Sequence, residues 1–524
     1  MRSELGADYV KSLWQIYDDR LPPTSDFCCY WFEKARQQIE DGTCLRAGLL
    51  ATTSSKQVSS RRAFERILET GRIFFAISDR DWFDKGTAIR ICMVAFANGN
   101  TTDEEMLDGK HVERINADLT TGHDTTVKSY LHANKKLCFM GTTKVGDFDI
   151  THDHAMEMLG DVNPHGRPNS DVLRLFRNGS DLVQLDSRRW IVDFGVGTSR
   201  EAASLYADPF KHVEQFVKPV RVMNRRITRA QNWWLLGETL PAFRKAVQGL
   251  PRYIGTARVA KHRLFVWQDA PVLPDSKVIA IAFDDDYHFG ILHSRIHEIW
   301  TLATCGWHGK GNDATYNPTE CFETFAFPFR DDLTRLKDDP AHTVAKFRAA
   351  HYHLEQDNVL REDPSPSSPD EHRAAIAAAA KELNELRERW LNPPEWTETR
   401  TLEFPASVDG PWARFIDPST INSQLSTGLV RYPRLEPRDA DCAAKLAKRT
   451  LTNLYNERPA WLDNAHKKLD AAVAAAYGWP ADLSDDEILS RLLALNLQRA
   501  SEEAKTGKPN GKQPQRAKLE DEMV

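Results

Sequence analysis

Between residues 46 and 96 the apolar positions alternate between strand-like and helix-like spacing. RAGLLATTS (Arg46–Ser54) is an apolar run that ends in small hydroxyl residues. SSRRAFERILETG (Ser59–Gly71) opens on serine, keeps helical spacing and stops at glycine. RIFFAIS (Arg72–Ser78) and AIRICMVAF (Ala88–Phe96) read as strands joined by the loop DRDWFDKGT. Strand, helix, strand, loop, strand is the ending of a doubly wound α/β domain that closes with an antiparallel hairpin. Upstream, Asp26–Gly42 predicts an amphipathic helix capped by Asp26 and stopped by Gly42, with Phe27, Tyr30, Trp31 and Ala35 as its apolar stripe. It leads straight into the Arg46 strand, so helix and strand alternate as a parallel sheet requires. Such a sheet binds its ligand at the carboxyl ends of its earlier strands, which on this reading would precede Met1.

The pattern changes twice further on. From 101 to about 330, Gly, Pro, Asn and aromatics rise and clean helical periods become scarce. Strand-like pieces at Arg189–Gly195, His262–Trp267 and Lys277–Phe283 predict an irregular α+β domain. From 331 to about 500 the chain turns mostly helical. A helix or two precede the linker PSPSSPDE (Pro364–Glu371), whose end caps the helix His372–Leu391. A Pro-rich, aromatic segment runs to Arg438, and two or three helices follow from Cys442 to Ala500. The polar tail 501–524 predicts disorder. The expected domains are therefore 1–100, 101–330 and 331–500, with no internal repeat.

Composition narrows the class only modestly. A chain of 524 residues, 41% hydrophobic and 27% charged, is ordinary for a soluble protein of several domains. No apolar run approaches the ~20 residues of a membrane span, and Met1 opens onto polar residues unlike a secretory signal. The eight Cys are scattered apart from Cys28–Cys29, and none forms C-x-x-C. Reduced, buried thiols and a cytoplasmic location are the expectation.

The net charge of −6 gives no global nucleic-acid signal, but its distribution does. Lys218, Arg221, Arg225, Arg226, Arg229, Arg244, Lys245, Arg252, Arg258, Lys261 and Arg263 face a single acid in their segment, Glu238. Trp233, Trp234, Tyr253, Phe265 and Trp267 are interleaved. Cations neutralise phosphates and aromatics fix register, so the segment is the candidate contact with double-stranded DNA; a solvated charged face is the alternative. His288, His293, Arg295 and His297 lack a matching Cys or carboxylate set, which favours packing and polar roles over a metal. Asp284, Asp285 and Asp286 read as a polar turn rather than a nuclease metal site. The Gly-rich loop Gly306–Tyr316 follows no phosphate-loop grammar and would suit a groove in a DNA reader. Thr52, Thr53 and Ser54 end a strand at the face where an active site would lie, and either line it or shape a turn.

Several stretches together carry a resemblance. They are FCCYWFEKA, RAGLLATTS, SDRDWFDKGTAIRI, NPHGRPNSDVLR (Asn163–Arg174), RWIVDFG, FGILHSRIHEIW (Phe289–Trp300) and the block Thr450–Pro480. In order and content the chain, apart from its tail, resembles the MmeI-like family of large single-chain adenine-N6 DNA methyltransferases of type II restriction–modification systems. The resemblance implies the closing part of a Rossmann-like class I methyltransferase domain, then a target-recognition domain and a helical C-terminal region. It implies that Trp82, or its neighbour Phe83, walls a flipped adenine with Thr52 and Thr53 nearby; hairpin packing is the alternative. Stacking on a base is worth about 1–3 kcal/mol. The family's S-adenosylmethionine loop, acidic-Pro-x-x-Gly-x-Gly, and its Asn/Asp-Pro-Pro-aromatic tetrapeptide are absent from the sequence. Asn392-Pro393-Pro394-Glu395 has Glu where the aromatic belongs and follows a long helix. The expectation is an N-terminally truncated chain that binds no cofactor alone. The complete enzyme would use S-adenosylmethionine. Three alternatives stay open: an inert DNA-binding or specificity fragment, one half of a split methyltransferase whose other half is encoded upstream, or an unrelated cytosolic α/β enzyme.

Overall fold

The computed structural model describes residues 2–56, 60–84, 87–100, 104–308, 313–329 and 368–505. The chain divides into two compact units. One comprises 1–128 with 306–312 and 489–493; the other comprises 129–305, 313–488 and 494–524. The first division thus falls at residue 128, past the expected 100. Residues 368–488 fall in the same unit as residues 129–305, while part of the last helix, 489–493, falls in the first. The helices expected between 330 and 363, the linker residues 364–367 and the tail beyond 505 lie outside the described residues.

In the first unit, α1 (Phe27–Glu40) leads into β1 (Arg46–Thr52), and α2 (Arg62–Thr70) into β2 (Gly71–Asp84) and β3 (Thr87–Asn98). With β4 (Glu105–Leu107) and β5 (Lys110–Val112) they form a sheet in the order β1-β3-β2-β4-β5. β3 runs antiparallel to both β1 and β2, so it is inserted between two strands that are parallel to each other. A helical crossover from β1 to β2, followed by a hairpin, produces this order. The expected elements are present, but parallel alternation is interrupted by β3. One face of the sheet, carrying Ala51, Cys92, Val94 and Phe96, packs on Cys29, Tyr30, Phe32, Phe64 and Ile67 of the two helices. Trp31, expected in the stripe, is instead 53% exposed; the buried face uses Cys29, Phe32 and Ile39. Asp26 occupies the N-cap position without a side-chain capping bond.

Between α1 and α2 lies a buried ion cluster. Glu33 is fully buried and accepts from Arg36 Nε (2.9 Å) and Nη2 (3.0 Å) and from Arg66 Nε (2.9 Å). Arg36 also donates to Glu40 (2.8 Å) and to Thr70 Oγ1 (3.2 Å) at the end of α2. Burial alone would raise the Glu33 pKa, but the guanidinium donors outweigh it and hold the carboxyl below its ordinary value.

The second unit contains strands β6 (Cys138–Met140), β7 (Leu173–Arg177), β8 (Trp190–Val192), β9 (Arg252–Ala257), β10 (Phe265–Asp269) and β11 (Val278–Ile281). One antiparallel sheet has the order β10-β9-β11-β6; β7 and β8 pair in another. Helices α3 (Ala207–Phe216), α4 (Lys218–Arg221) and α5 (Ile227–Gln231) follow β8. Beyond β11 come α6 (Asp286–His293), α7 (Arg295–Thr304), α8 (Pro369–Leu391) and α9 (Ala460–Ala476). Ser294 caps α7 immediately after α6 ends, which breaks FGILHSRIHEIW into two helices. Ser368 and Glu371 form the expected capping box on α8. Gly290 lets α6 approach the alanine-rich face of α8: a Cβ there would stand 2.8 Å from Ile376 Cγ2 and 2.9 Å from Ala380 Cβ.

The Pro-rich segment holds a long antiparallel ribbon, β12 (Thr397–Ser407) with β13 (Thr427–Pro437), which the hydrophobic pattern does not announce. Its Phe404, Ala406 and Val430 join a core with Trp190 and Trp412, and the Trp412 indole donates to the Leu173 carbonyl at 2.9 Å. The last helix, Asp485–Lys505, runs five residues into the expected tail. There the Glu503 carboxylate accepts from the backbone N–H groups of His132 (2.7 Å) and Ala133 (3.1 Å).

The Glu33 cluster makes a prediction. Glu33→Gln leaves two guanidinium groups facing a neutral side chain and should destabilise the protein by about 3 kcal/mol near neutral pH. Because the folded pKa is depressed, the stabilisation is present above the unfolded carboxylate range and is lost as pH falls through the folded value. Urea midpoints of the two proteins should therefore converge in acid. A gap that stays constant into acid would rule out the ion cluster as the clamp.

Candidate nucleic-acid interface

Register places the expected base-pocket residues. Thr52, the last residue of β1, stands opposite Ile91, and Trp82 stands opposite Ile89 on the other flank of β3. Directly opposed residues point to the same face, and Ile89 and Ile91 are two apart on one strand. Thr52 and Trp82 therefore share the sheet face opposite α1 and α2, at the same end of the sheet. Both are exposed, Trp82 by 41%. Thr53 turns away into the short helix Thr53–Lys56, and the Ser55 hydroxyl donates to the Thr52 carbonyl at 2.8 Å. Trp82 and Phe83 are not in a loop, as the sequence suggested; they continue β2 almost to the turn. Arg90 of β3 holds that extension, donating to Asp79 (2.6 Å) and Asp81 (3.3 Å) of β2. The side chains of Phe83 and Ser54 lie outside the described residues.

The eleven basic residues of 218–263 do not form one patch. Four are committed to the protein's own interior. Arg244 Nη2 donates to both oxygens of the buried Asp193 carboxylate (2.8 and 2.9 Å). Arg252 donates to Asp286 (3.0 Å) and to the Asp284 carbonyl (3.0 Å), and stacks 3.6 Å over the Trp267 ring. Arg263, 8% exposed, donates to Thr256 Oγ1 (3.0 Å) and to the Ala314 carbonyl (2.7 Å), against the Tyr316 ring. Arg221, 1% exposed, donates to the Leu235 carbonyl, while its Nε and Nη1 meet no acceptor among the described residues. Burial, with Arg229 nearby, pushes the Arg221 pKa down to about 10, so it remains charged at neutral pH.

The other seven reach solvent. Lys218 bonds Glu214 (2.8 Å), Arg229 bonds Glu238 (3.2 Å) and Lys261 bonds Asn456 (2.7 Å). Arg226 caps α5. Among the described residues the Arg258 guanidinium meets only the weak acceptor Met140 Sδ, at 3.6 Å. Arg225 and Lys245 are exposed and have no acidic partner among the described residues. The interleaved aromatics are not stacking platforms: Trp233, Tyr253 and Phe265 are buried, Trp267 stacks on Phe289, and the Trp234 indole donates to the Thr198 carbonyl. What the sequence reading passed over is apolar. Val220, Val222, Met223 and Ile227 stand 50–83% exposed among these cations. Their signal in the sequence is a set of apolar residues with no periodicity inside a basic run.

The remaining candidates have structural roles. Asp285 caps α6, accepting from the backbone N–H of His288 (2.9 Å) and pairing with the His288 ring (2.8 Å). His293 Nε2 accepts from Phe265 N (3.1 Å) and Arg387 Nη1 (2.7 Å). Burial and Arg387 push its pKa well below the ordinary value, so the imidazole is neutral. His297 links the Leu292 carbonyl to the Tyr316 hydroxyl. Among the described residues no three His, Cys, Asp or Glu side chains cluster to hold a metal, and no helix is long and apolar enough to cross a membrane. Asn392-Pro393-Pro394-Glu395 is the exit turn of α8: the Pro393 carbonyl accepts from Thr397 Oγ1 and the Pro394 carbonyl from Arg438. Residues 309–312 of the Gly-rich loop lie outside the described residues.

A solved structure shares this fold. It is described as the Type IIL restriction-modification enzyme MmeI in complex with DNA, and it matches at a TM-score of 0.62 and 15% identity. The match covers 94% of this chain and 55% of that one, so the chain spans about half the length of the structure it resembles. No protein-family profile and no curated protein matches the chain. At 15% identity the likeness concerns the fold alone.

The sorting of cations makes the second prediction. Arg244→Ala leaves buried Asp193 with Arg174 and the Gly195 N–H as its partners and should cost roughly 2–3 kcal/mol of stability. Arg225→Ala, on the surface, should change stability by less than about 0.5 kcal/mol. Thermal unfolding of the two variants measures this. Equal losses would mean that the division into interior and surface cations is wrong.

Proposed function

We propose that this chain is the closing part of the catalytic domain, with the DNA-recognition region, of an adenine-N6 DNA methyltransferase of a restriction–modification system. The observation that carries the reading is the fold match along 94% of the chain to an enzyme solved with DNA. The β1-β3-β2 arrangement supports it, because a strand–helix–strand unit closed by an inserted hairpin is how the expected sheet would end. In this reading the duplex lies against Arg225, Arg226, Arg229, Lys245 and Arg258, whose charges neutralise phosphates. The target adenine leaves the stack and meets Trp82 at the sheet end marked by Thr52. Trp82 would stack on the base, and the Thr52 hydroxyl stands on the same face to accept or donate at its rim.

The residues present do not fit the methyl donor. The carboxyl end of β1 offers only hydroxyls, in Thr52 and Thr53, and the sequence has neither a glycine-rich acidic loop nor an Asn/Asp-Pro-Pro-aromatic tetrapeptide. No step through S-adenosylmethionine is therefore derived from this chain. An adenine amino group is a poor nucleophile, and its activation needs oxygen acceptors held in near-attack geometry. We place those acceptors on a cofactor-binding half that pairs with this one. β1 pairs only β3 among the described residues, and Leu45 (77%), Leu50 (46%) and Trp31 (53%) are exposed apolar groups around it. The same missing motifs favour a second reading, a DNA-binding specificity fragment without catalysis.

The experiment separates the two. The chain alone, with labelled S-adenosylmethionine and mixed duplex DNA, should transfer no methyl groups yet bind duplex with steep salt dependence. Arg225, Arg226 and Arg229 replaced together by Ala should flatten the slope of log K against log salt by about 0.9 per lost phosphate contact. When a cofactor-binding half is supplied, methyl transfer should appear, and Trp82→Ala should lower turnover with donor affinity nearly unchanged. Transfer by the chain alone would refute the placement of the acceptors. Duplex binding without association of the halves would leave the specificity fragment as the reading.

A further inference from the structure

Val220, Val222, Met223 and Ile227 lie within eight residues of chain and are 62%, 50%, 83% and 69% exposed. Isolated exposed apolar side chains are ordinary; four within so short a stretch mark an interaction surface. Val220 belongs to α4 and Ile227 opens α5, and the turn between them, which carries Val222 and Met223, is closed by hydrogen bonds. The Val222 N–H donates to the Lys218 carbonyl (3.0 Å), the Asn224 N–H to the Arg221 carbonyl (2.9 Å), and Asn224 Oδ1 accepts from the Arg226 N–H (2.9 Å). Beneath it, Val217 and Trp233 are buried in the unit's main core. The apolar side chains are therefore held outward by a preformed scaffold, which limits the entropy lost when they are covered.

Their surroundings say what covers them. Arg225 and Arg226 sit in the same turn and Arg229 in the helix that follows, with Arg221 at its base adding a buried positive charge. No carboxylate pairs with Arg225 or Arg221 among the described residues. A surface that is apolar at its tip and guanidinium-rich around it is complementary to stacked bases bordered by phosphates. Met and Ile are among the side chains that proteins insert between base steps from the minor groove, while flanking arginines hold the backbone. An anionic lipid surface also attracts cations and apolar groups. Lipid-binding elements, however, present a long amphipathic face or exposed aromatics, whereas α4 and α5 have four and five residues and Trp233 is buried.

We propose that the Val222–Ile227 turn is a DNA wedge: Met223 and Ile227 enter a base step, unstack it and bend the duplex, while Arg225 and Arg226 grip the adjoining phosphates. The inference rests on the reading of the chain as a DNA-binding protein and adds to it a deformation of the duplex. Flexible pyrimidine–purine steps would be preferred, so the wedge would contribute selectivity without hydrogen bonds to base edges.

The test uses the full chain and a duplex of about 30 base pairs with dyes at both ends and 2-aminopurine beside a central TA step. Binding should raise both end-to-end energy transfer and 2-aminopurine emission. Met223→Ala with Ile227→Ala should lower affinity about tenfold and abolish both signals, with the salt slope unchanged. Arg225→Ala with Arg226→Ala should reduce the slope. Because Met223, Ile227 and Arg225 are exposed, the melting temperatures of the apolar variant and of Arg225→Ala alone should match the parent chain. Normal affinity and normal bending in the apolar variant, with the arginine variant impaired, would overturn the wedge and leave DNA binding standing. A parent chain that binds no duplex would overturn the DNA reading itself. Binding to phosphatidylserine vesicles that is lost in the apolar variant, with duplex binding intact, would overturn the wedge in favour of a lipid contact.

Discussion

A guanidinium taken out of water must find acceptors inside the protein, and much of this structure is organised by that demand. Glu33 answers it for Arg36 and Arg66, and thereby fixes α1 to α2 beneath the sheet. Asp193 answers it for Arg244 across 51 residues of chain. Where no carboxylate is at hand, Arg263 uses the Ala314 carbonyl and Arg387 uses the Phe265 carbonyl and a neutral His293. Truncating one partner of such a set leaves a buried charge uncompensated, which costs more than the pair contributes when intact. The same demand determines which cations remain for a ligand. Only those left in solvent can exchange water and counterions for phosphate.

The sheet of the first unit shows how function would follow from pairing. β3 lies between β1 and β2, so the carboxyl end of β1 and the tip of the β2–β3 hairpin are brought to one end. Thr52 and Trp82 are thirty residues apart, yet they project from one face because each opposes an isoleucine of the same parity on β3. A register slip of a single residue would send one of them to the opposite face. The Arg90 bonds to Asp79 and Asp81 act where the apolar pattern has ended, and they carry the pairing out to Trp82.

Element order in the first hundred residues was legible because its period switches between two and three and a half, and because Gly71 stops the helix before β2. The extent of β2 was not. Asp79, Arg80 and Asp81 read as loop, since their pairing depends on charges from the opposite strand rather than on burial. The ribbon of β12 and β13 escaped for a related reason. It buries one side only, carries Pro405, Pro433 and Pro437, and presents Glu398, Arg400, Glu403 and Arg431 to solvent. The capping box at Ser368 was legible because its two partners are three residues apart. For the basic segment, composition showed where cations concentrate but not which of them find distant acceptors. An Arg that pairs with Asp193 and an Arg that faces water are the same letter.

That distinction changes the electrostatic expectation itself. Counterion release scales with phosphates neutralised, at roughly 0.9 per contact for duplex DNA. Taken as composition, the segment suggests up to eleven contacts. Arg244, Arg252 and Arg263 are bound to interior acceptors and Arg221 is covered, while Lys218, Arg229 and Lys261 would have to give up an existing partner. Among the described residues the readily available charge shrinks to a few side chains such as Arg225 and Lys245, and Arg225 adjoins an apolar tip. An interface built this way draws less of its affinity from salt-sensitive contacts than the sequence implies. More of its affinity must come from shape and from apolar burial, and the Met223 turn is where this surface offers both.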